Sequence, residues 1–201
     1  MANSMNRILF TCRGGQLILP AMPLVSRADG GNLVVNPPRT VWERAELTPR
    51  ELADWSYLVA ATGYAMLDAL PQLAGGCINY WEAGNWALNE QAEPRGAKTA
   101  PAHRQVHLHL LGRSRTATHP AWRWGEAPKF PDYAARQAWA ADFAPLTAEE
   151  CCAIVGRVET RLRTFYELPP SALMPWAACV QCGYTTPGAA EQHCTSCLKT
   201  G

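Results

Sequence analysis

The sequence predicts an α+β fold, an antiparallel sheet with flanking helices, extended at its C-terminal end by a small four-cysteine ribbon. Three observations carry this reading. Short β-rich runs separated by Gly and Pro fill the first 35 residues, two capping boxes open amphipathic helices further on, and four of the eight cysteines form two Cys-x-x-Cys pairs near the end. A chain of 201 residues buries a full core with room for an appendage, which places one domain at 1–168 and the ribbon at 169–201.

Residues 7–10 (RILF) and 16–19 (QLIL) read as strands joined at Gly14-Gly15, and NLVV at 32–35 is a third strand, stopped by Asn36-Pro37-Pro38. Thr48-Pro49-Arg50-Glu51 opens a helix, with Thr48 as cap, Pro49 at the first helical position and Glu51 closing the box. Leu52, Trp55, Leu58, Val59, Thr62, Met66 and Leu70 then recur at helical spacing. CINYW at 77–81 is a strand, with WAL at 86–88 as its expected partner, and 90–102 is a polar loop. A strand is expected over 104–111, a long irregular segment over 112–131, and helices near 132–143 and 148–166, the latter opened by Thr147-x-x-Glu150. Pro169-Pro170 and Pro175 read as a stiff linker to the ribbon.

The composition is globular, with 48% hydrophobic and 17% charged residues. A net charge of +1 gives no electrostatic case for nucleic acid or anionic membrane, and neither is expected as a partner. No run of the roughly 18–20 apolar residues that a membrane span needs is present. Without a signal-peptide pattern at the start, a cytoplasmic location is expected.

Cys179-x-x-Cys182 and Cys194-x-x-Cys197 are separated by eleven residues. Each pair can grip one metal from a tight knuckle, and four thiolates favour a closed, tetrahedral, structural zinc site, with iron as the lesser reading. So short a segment has little core of its own, so metal binding supplies much of its folding energy. A closed site offers no open coordination position, and the zinc ribbon reads as a fold staple or a dock for a protein partner. The scattered Cys12, Cys77, Cys151 and Cys152 read as small buried core residues.

The segment His103-Arg104-Gln105-Val106-His107-Leu108-His109-Leu110-Leu111 holds three of the five histidines. As a strand it sends Val106, Leu108 and Leu110 to one face and His103, Gln105, His107 and His109 to the other. Two imidazoles on one face can divide labour, one attacking and the other donating a proton or binding an anionic oxygen. Neutral imidazole is nucleophilic near pH 7, and phosphorus is a suitable electrophile. Satisfied surface histidines, and His107 with His109 as a metal pair, are the other readings; no third ligand stands near them in sequence.

Residues 105–113 resemble the signature of the histidine-triad (HIT) superfamily, His-φ-His-φ-His-φ-φ with φ apolar. Residues 31–39, the helix opening at Leu47-Thr48-Pro49-Arg50-Glu51-Leu52, and Leu88-Asn89-Glu90 resemble further parts of that family, so the likeness spans roughly 7–125. It implies a HIT-like antiparallel sheet that binds a nucleotide or nucleotide conjugate over one face. The implied function is a nucleotidyl hydrolase or transferase acting at the α-phosphate through a covalent nucleotidyl-histidine. His107 is then the nucleophile, His109 contacts the α-phosphate or assists the leaving group, and Asn89 contacts ribose or phosphate. Relatives are often dimers, which leaves a homodimer open. Gln105 stands where the first triad histidine belongs; its carbonyl can still orient the His107 ring, and His103 can partly replace the missing imidazole. The alternative function is a catalytically weak nucleotide-binding or scaffold protein that docks a partner through its zinc ribbon. Trp122, Trp124 and Phe130 read mainly as a loop packing aromatics over the sheet edge, with cover for a base as the second reading.

Overall fold

A computed structural model describes residues 6–141 and 143–174, together with the strands Trp176–Ala178 and Thr185–Pro187. Five strands form one antiparallel sheet: β1 (Arg7–Cys12), β2 (Gly15–Leu19), β3 (Asn32–Asn36), β4 (Cys77–Ala83) and β5 (His107–Arg113). Their order is β1-β2-β3-β5-β4, so β5 lies between β3 and β4. The first hairpin turns at Gly15, whose φ of 124° an L side chain rarely adopts.

Helix α1 (Pro49–Ala69) starts at the expected capping box, Thr48 accepting from the Glu51 amide while Glu51 accepts from that of Thr48. Such a cap contributes about 1 kcal/mol. Trp55, Leu58, Thr62 and Met66 are buried, as their spacing predicts. Two one-turn helices, α2 (Ala100–His103) and α3 (Arg136–Ala140), are followed by α4 (Ala148–Thr164), which opens at the Thr147/Glu150 box. α1 and α4 pack on one face of the sheet, where Val106, Leu108 and Leu110 join Leu17, Leu33, Trp55, Leu58, Ile154 and Leu162 in the main core. Asp54, buried on α1, accepts hydrogen bonds from Arg13 at 2.6 Å and Arg50 at 3.0 Å, which ties helix to hairpin.

Several expectations are corrected. β5 begins at His107, not at residue 104, because Ala100–His103 closes a helical turn, with the Arg104 amide donating to the Ala100 carbonyl. Residues 86–88 lie in a 3-10 turn (Asn85–Leu88), not in a strand. The expected linker at 169–170 folds into α5 (Pro170–Leu173), whose Ala172 is buried and accepts from the Arg13 amide at 2.9 Å. Cys12 and Cys151 are buried as read, whereas Cys77 is half-buried and Cys152 exposed. β6 (Trp176–Ala178) and β7 (Thr185–Pro187) pair antiparallel. Cys179, Cys182, Cys194 and Cys197 lie outside the described residues.

Candidate active site

The sheet face opposite α1 and α4 carries the histidines. Alternation on β5 sends Leu108 and Leu110 into the core, while His107 and His109 turn the other way and are half-buried. The register completes the face: His109 stands between Val34 of β3 and Trp81 of β4, and His107 opposite Ala83. The two imidazole centroids are 5.0 Å apart, and the Trp81 ring lies 5.2 Å from His109. Phe130 stacks on Trp81 at 4.2 Å, and Trp122 is fully buried beneath, so the aromatics of the long loop do pack over the sheet. Trp124, by contrast, is exposed.

These residues line a cavity of about 690 Å³, within the range of about 300–1,000 Å³ common for small-molecule sites. His103, Gln105, His107 and His109 make one wall, Trp81, Trp86, Met22 and Leu24 supply apolar surface, and Tyr133, Arg136 and Ala140 come from α3 and the turn before it. Sequence reasoning missed this last group, although Tyr133, Arg136 and Ala140 recur at helical spacing. His103 reaches the wall from the end of α2, not from the strand, and its Nδ1 accepts from the Thr99 amide at 3.1 Å. Asn89 is not among the lining residues; its Oδ1 accepts from the Gln91 amide at 2.9 Å, a turn-forming role, and Asn85 lines the cavity instead.

The His107 ring is held by one bond. Its Nδ1 lies 2.9 Å from the Gln105 carbonyl oxygen, which can only accept. Nδ1 therefore carries the proton, and Nε2 of the neutral ring keeps its lone pair. The carbonyl is itself wedged. Gly84 packs against residues 104 and 105 at φ 132°, so close that a Cβ there would lie 2.9 Å from Arg104 Cγ and 3.1 Å from the Gln105 oxygen. Arg104 is fixed by Glu43 at 2.7 Å and by Glu82 at 3.8 Å.

Burial, aided by the Arg104 charge, pushes the His107 pKa below its ordinary value, against the Gln105 carbonyl and Glu82. His109 is pushed down to about 3, by burial first and the neighbouring His107 second. Its Nδ1 is buried without a hydrogen-bond partner among the described residues. Both rings are thus neutral at pH 7. Among the described residues no three His, Cys, Asp or Glu side chains gather as a metal-ligand set, and no helix is long and apolar enough to cross a membrane.

Fold and site together define a class: an α+β protein whose sheet presents two neutral imidazoles to an aromatic-walled cavity. No protein-family model and no curated protein matches the sequence. The solved structures to which the chain is similar include two histidine triad proteins. One is a hypothetical histidine triad nucleotide-binding protein from Sulfolobus tokodaii strain 7, with 13% identity and a TM-score of 0.44, covering 79% of this chain and 87% of that one. The other is a histidine triad (HIT) protein from Sinorhizobium meliloti 1021, with 18% identity and a TM-score of 0.41, covering 76% and 90%.

Proposed function

We propose that this chain is a HIT-type nucleotidyl hydrolase or transferase in which His107 attacks the α-phosphorus of a nucleotide conjugate. The observation that carries the reading is the bond between His107 Nδ1 and the Gln105 carbonyl. It fixes the tautomer that a nucleophile needs, on a ring that lines a cavity of ligand size. The resemblance of residues 105–113 to the histidine-triad signature supports it independently.

In the first half-reaction the Nε2 lone pair of His107 forms a bond to phosphorus. The bond from phosphorus to the leaving group breaks, and its electron pair departs with that group, which takes up a proton. In the second, water or another acceptor loses a proton and attacks the same phosphorus, and the electron pair of the P–N bond returns to His107. His109, with so low a pKa, does not supply the proton as an imidazolium. Buried N–H groups without an acceptor are rarer than under-used acceptors, which assigns the His109 proton to Nε2 and makes that atom a neutral donor to a phosphoryl oxygen.

Gln105 at the first triad position favours a second reading, a nucleotide binder with muted turnover. One experiment separates the two. Incubation with adenosine 5′-phosphoramidate or a dinucleoside polyphosphate, followed by mass spectrometry, should give an acid-labile nucleotidyl adduct on His107 that His107→Ala lacks. Tight binding without adduct or product favours the second reading.

The zinc ribbon belongs to the same proposal. Cys179, Cys182, Cys194 and Cys197 hold one structural zinc, and the ribbon serves as a dock for a protein partner.

A further inference from the structure

Helix α3 turns two faces to different tasks. Trp139 donates its indole N–H to the Leu24 carbonyl at 3.2 Å and meets His119 edge-on at 4.9 Å, which fixes the helix to the body. Arg136 and Ala140, one turn apart, line the cavity instead. The Arg136 guanidinium lies over the Tyr133 ring, 3.9 Å from its centroid. Arg136 is half-buried, and among the described residues no carboxylate lies within ion-pair distance of it.

A guanidinium carries five N–H donors in a planar fork, and a phenol face satisfies none of them. Burial raises the cost of leaving a charged group without a partner, and this guanidinium is half-buried. Held in place by an aromatic ring, at the wall of a cavity and without a carboxylate, it is arranged to receive an anion from outside. Its place in the cavity narrows the role. Arg136 and His107 line the same cavity but come to it from different elements, Arg136 from α3 and His107 from β5. A cavity of about 690 Å³ leaves room for a ligand that reaches both.

We infer that Arg136 binds a second anionic group of the ligand, lying beyond the phosphorus that His107 attacks, and so selects nucleotide conjugates with an oligophosphate over those with a neutral leaving group. The inference rests on the proposed reaction for the word "attacks", but its recognition half is testable without turnover.

The test uses the full-length chain carrying His107→Ala, with and without Arg136→Ala or Arg136→Lys. Affinities for the mono- and triphosphates of the four ribonucleosides are read from tryptophan fluorescence. For the base that binds tightest, R136A should weaken the triphosphate roughly tenfold or more and leave the monophosphate within about twofold, as expected for loss of a charge-assisted bond. R136K keeps the charge without the fork and should recover part of the loss. Equal losses for both ligands, no loss for either, or no nucleotide binding at all would overturn the assignment. Failure of the reaction itself is seen separately. A protein with an Arg136-dependent triphosphate preference but no His107 adduct refutes the catalytic reading alone, and an adduct with equal losses refutes the Arg136 role alone.

Discussion

His109 makes stability depend on pH in a way that can be worked out in advance. In the unfolded chain an imidazole takes its proton near 6.5, whereas in the folded protein burial holds it off until about 3. Between these values the unfolded chain binds more protons than the folded one, so stability is full above pH 6.5 and is lost as pH falls. At pH 4 the unfolded ring is almost wholly charged and the folded ring almost wholly neutral. The linkage then amounts to about 3 kcal/mol relative to pH 8, a large part of the roughly 5–15 kcal/mol that holds a domain together. The perturbation is His109→Asn, which removes the titration. Urea unfolding followed by tryptophan fluorescence at pH 8, 6, 5 and 4 gives the curves for both proteins. The gap between them should shift by about 3 kcal/mol over that range, in favour of the variant at low pH. Asparagine also loses the ring contact with Trp81, but that loss offsets the curves equally at every pH. Parallel curves would refute the reasoning, because they would mean that the ring protonates in place.

Three further outcomes are expected. Gly84→Ala introduces an L side chain at φ 132° against the Gln105 carbonyl; it should cost about 1–3 kcal/mol of stability and reduce His107-dependent turnover roughly 10- to 100-fold, checked by urea unfolding and steady-state rates. Asp54→Asn removes the carboxylate that Arg13 and Arg50 share and should destabilise the fold by about 1.5–3 kcal/mol, measured in the same unfolding assay. Elemental analysis of the purified chain should return about one zinc per chain, lost in Cys179→Ser; a zinc content unchanged by that substitution would argue against the ribbon.

What the sequence made legible was local. The boxes at Thr48/Glu51 and Thr147/Glu150 span four residues each, and both open their helices as expected. The alternation of Val106, Leu108 and Leu110 against His107 and His109 is a period-2 pattern, and it holds. The errors began where a local pattern had a tertiary competitor. His103 and Gln105 extend the same alternation by chance, but the turn at Ala100–His103 takes the chain out of the sheet before Val106. Asn89 sits in a stretch resembling a known motif, and the resemblance alone does not disclose that its Oδ1 accepts from the Gln91 amide. Arg136 escapes notice for the opposite reason, since a single arginine in a five-residue helix carries no signal until the fold sets it against the cavity.

The backbone of Leu24 is a junction between sheet and loop. Its N–H donates to Asn32 Oδ1 at 3.0 Å, and its carbonyl receives the indoles of both Trp122 and Trp139. Asn32 in turn donates to the Leu33 and Leu110 carbonyls within the sheet. The α3 wall of the cavity is thus tied through Trp139 to the backbone of Leu24, itself held by Asn32 of β3, while the imidazoles belong to the sheet itself. The proposed chemistry and the proposed ligand choice would then sit on separately supported pieces of chain. Evolution could recut the stretch from Tyr133 to Ala140 to suit another ligand, so long as two indoles still found that oxygen, and leave the two imidazoles where they stand.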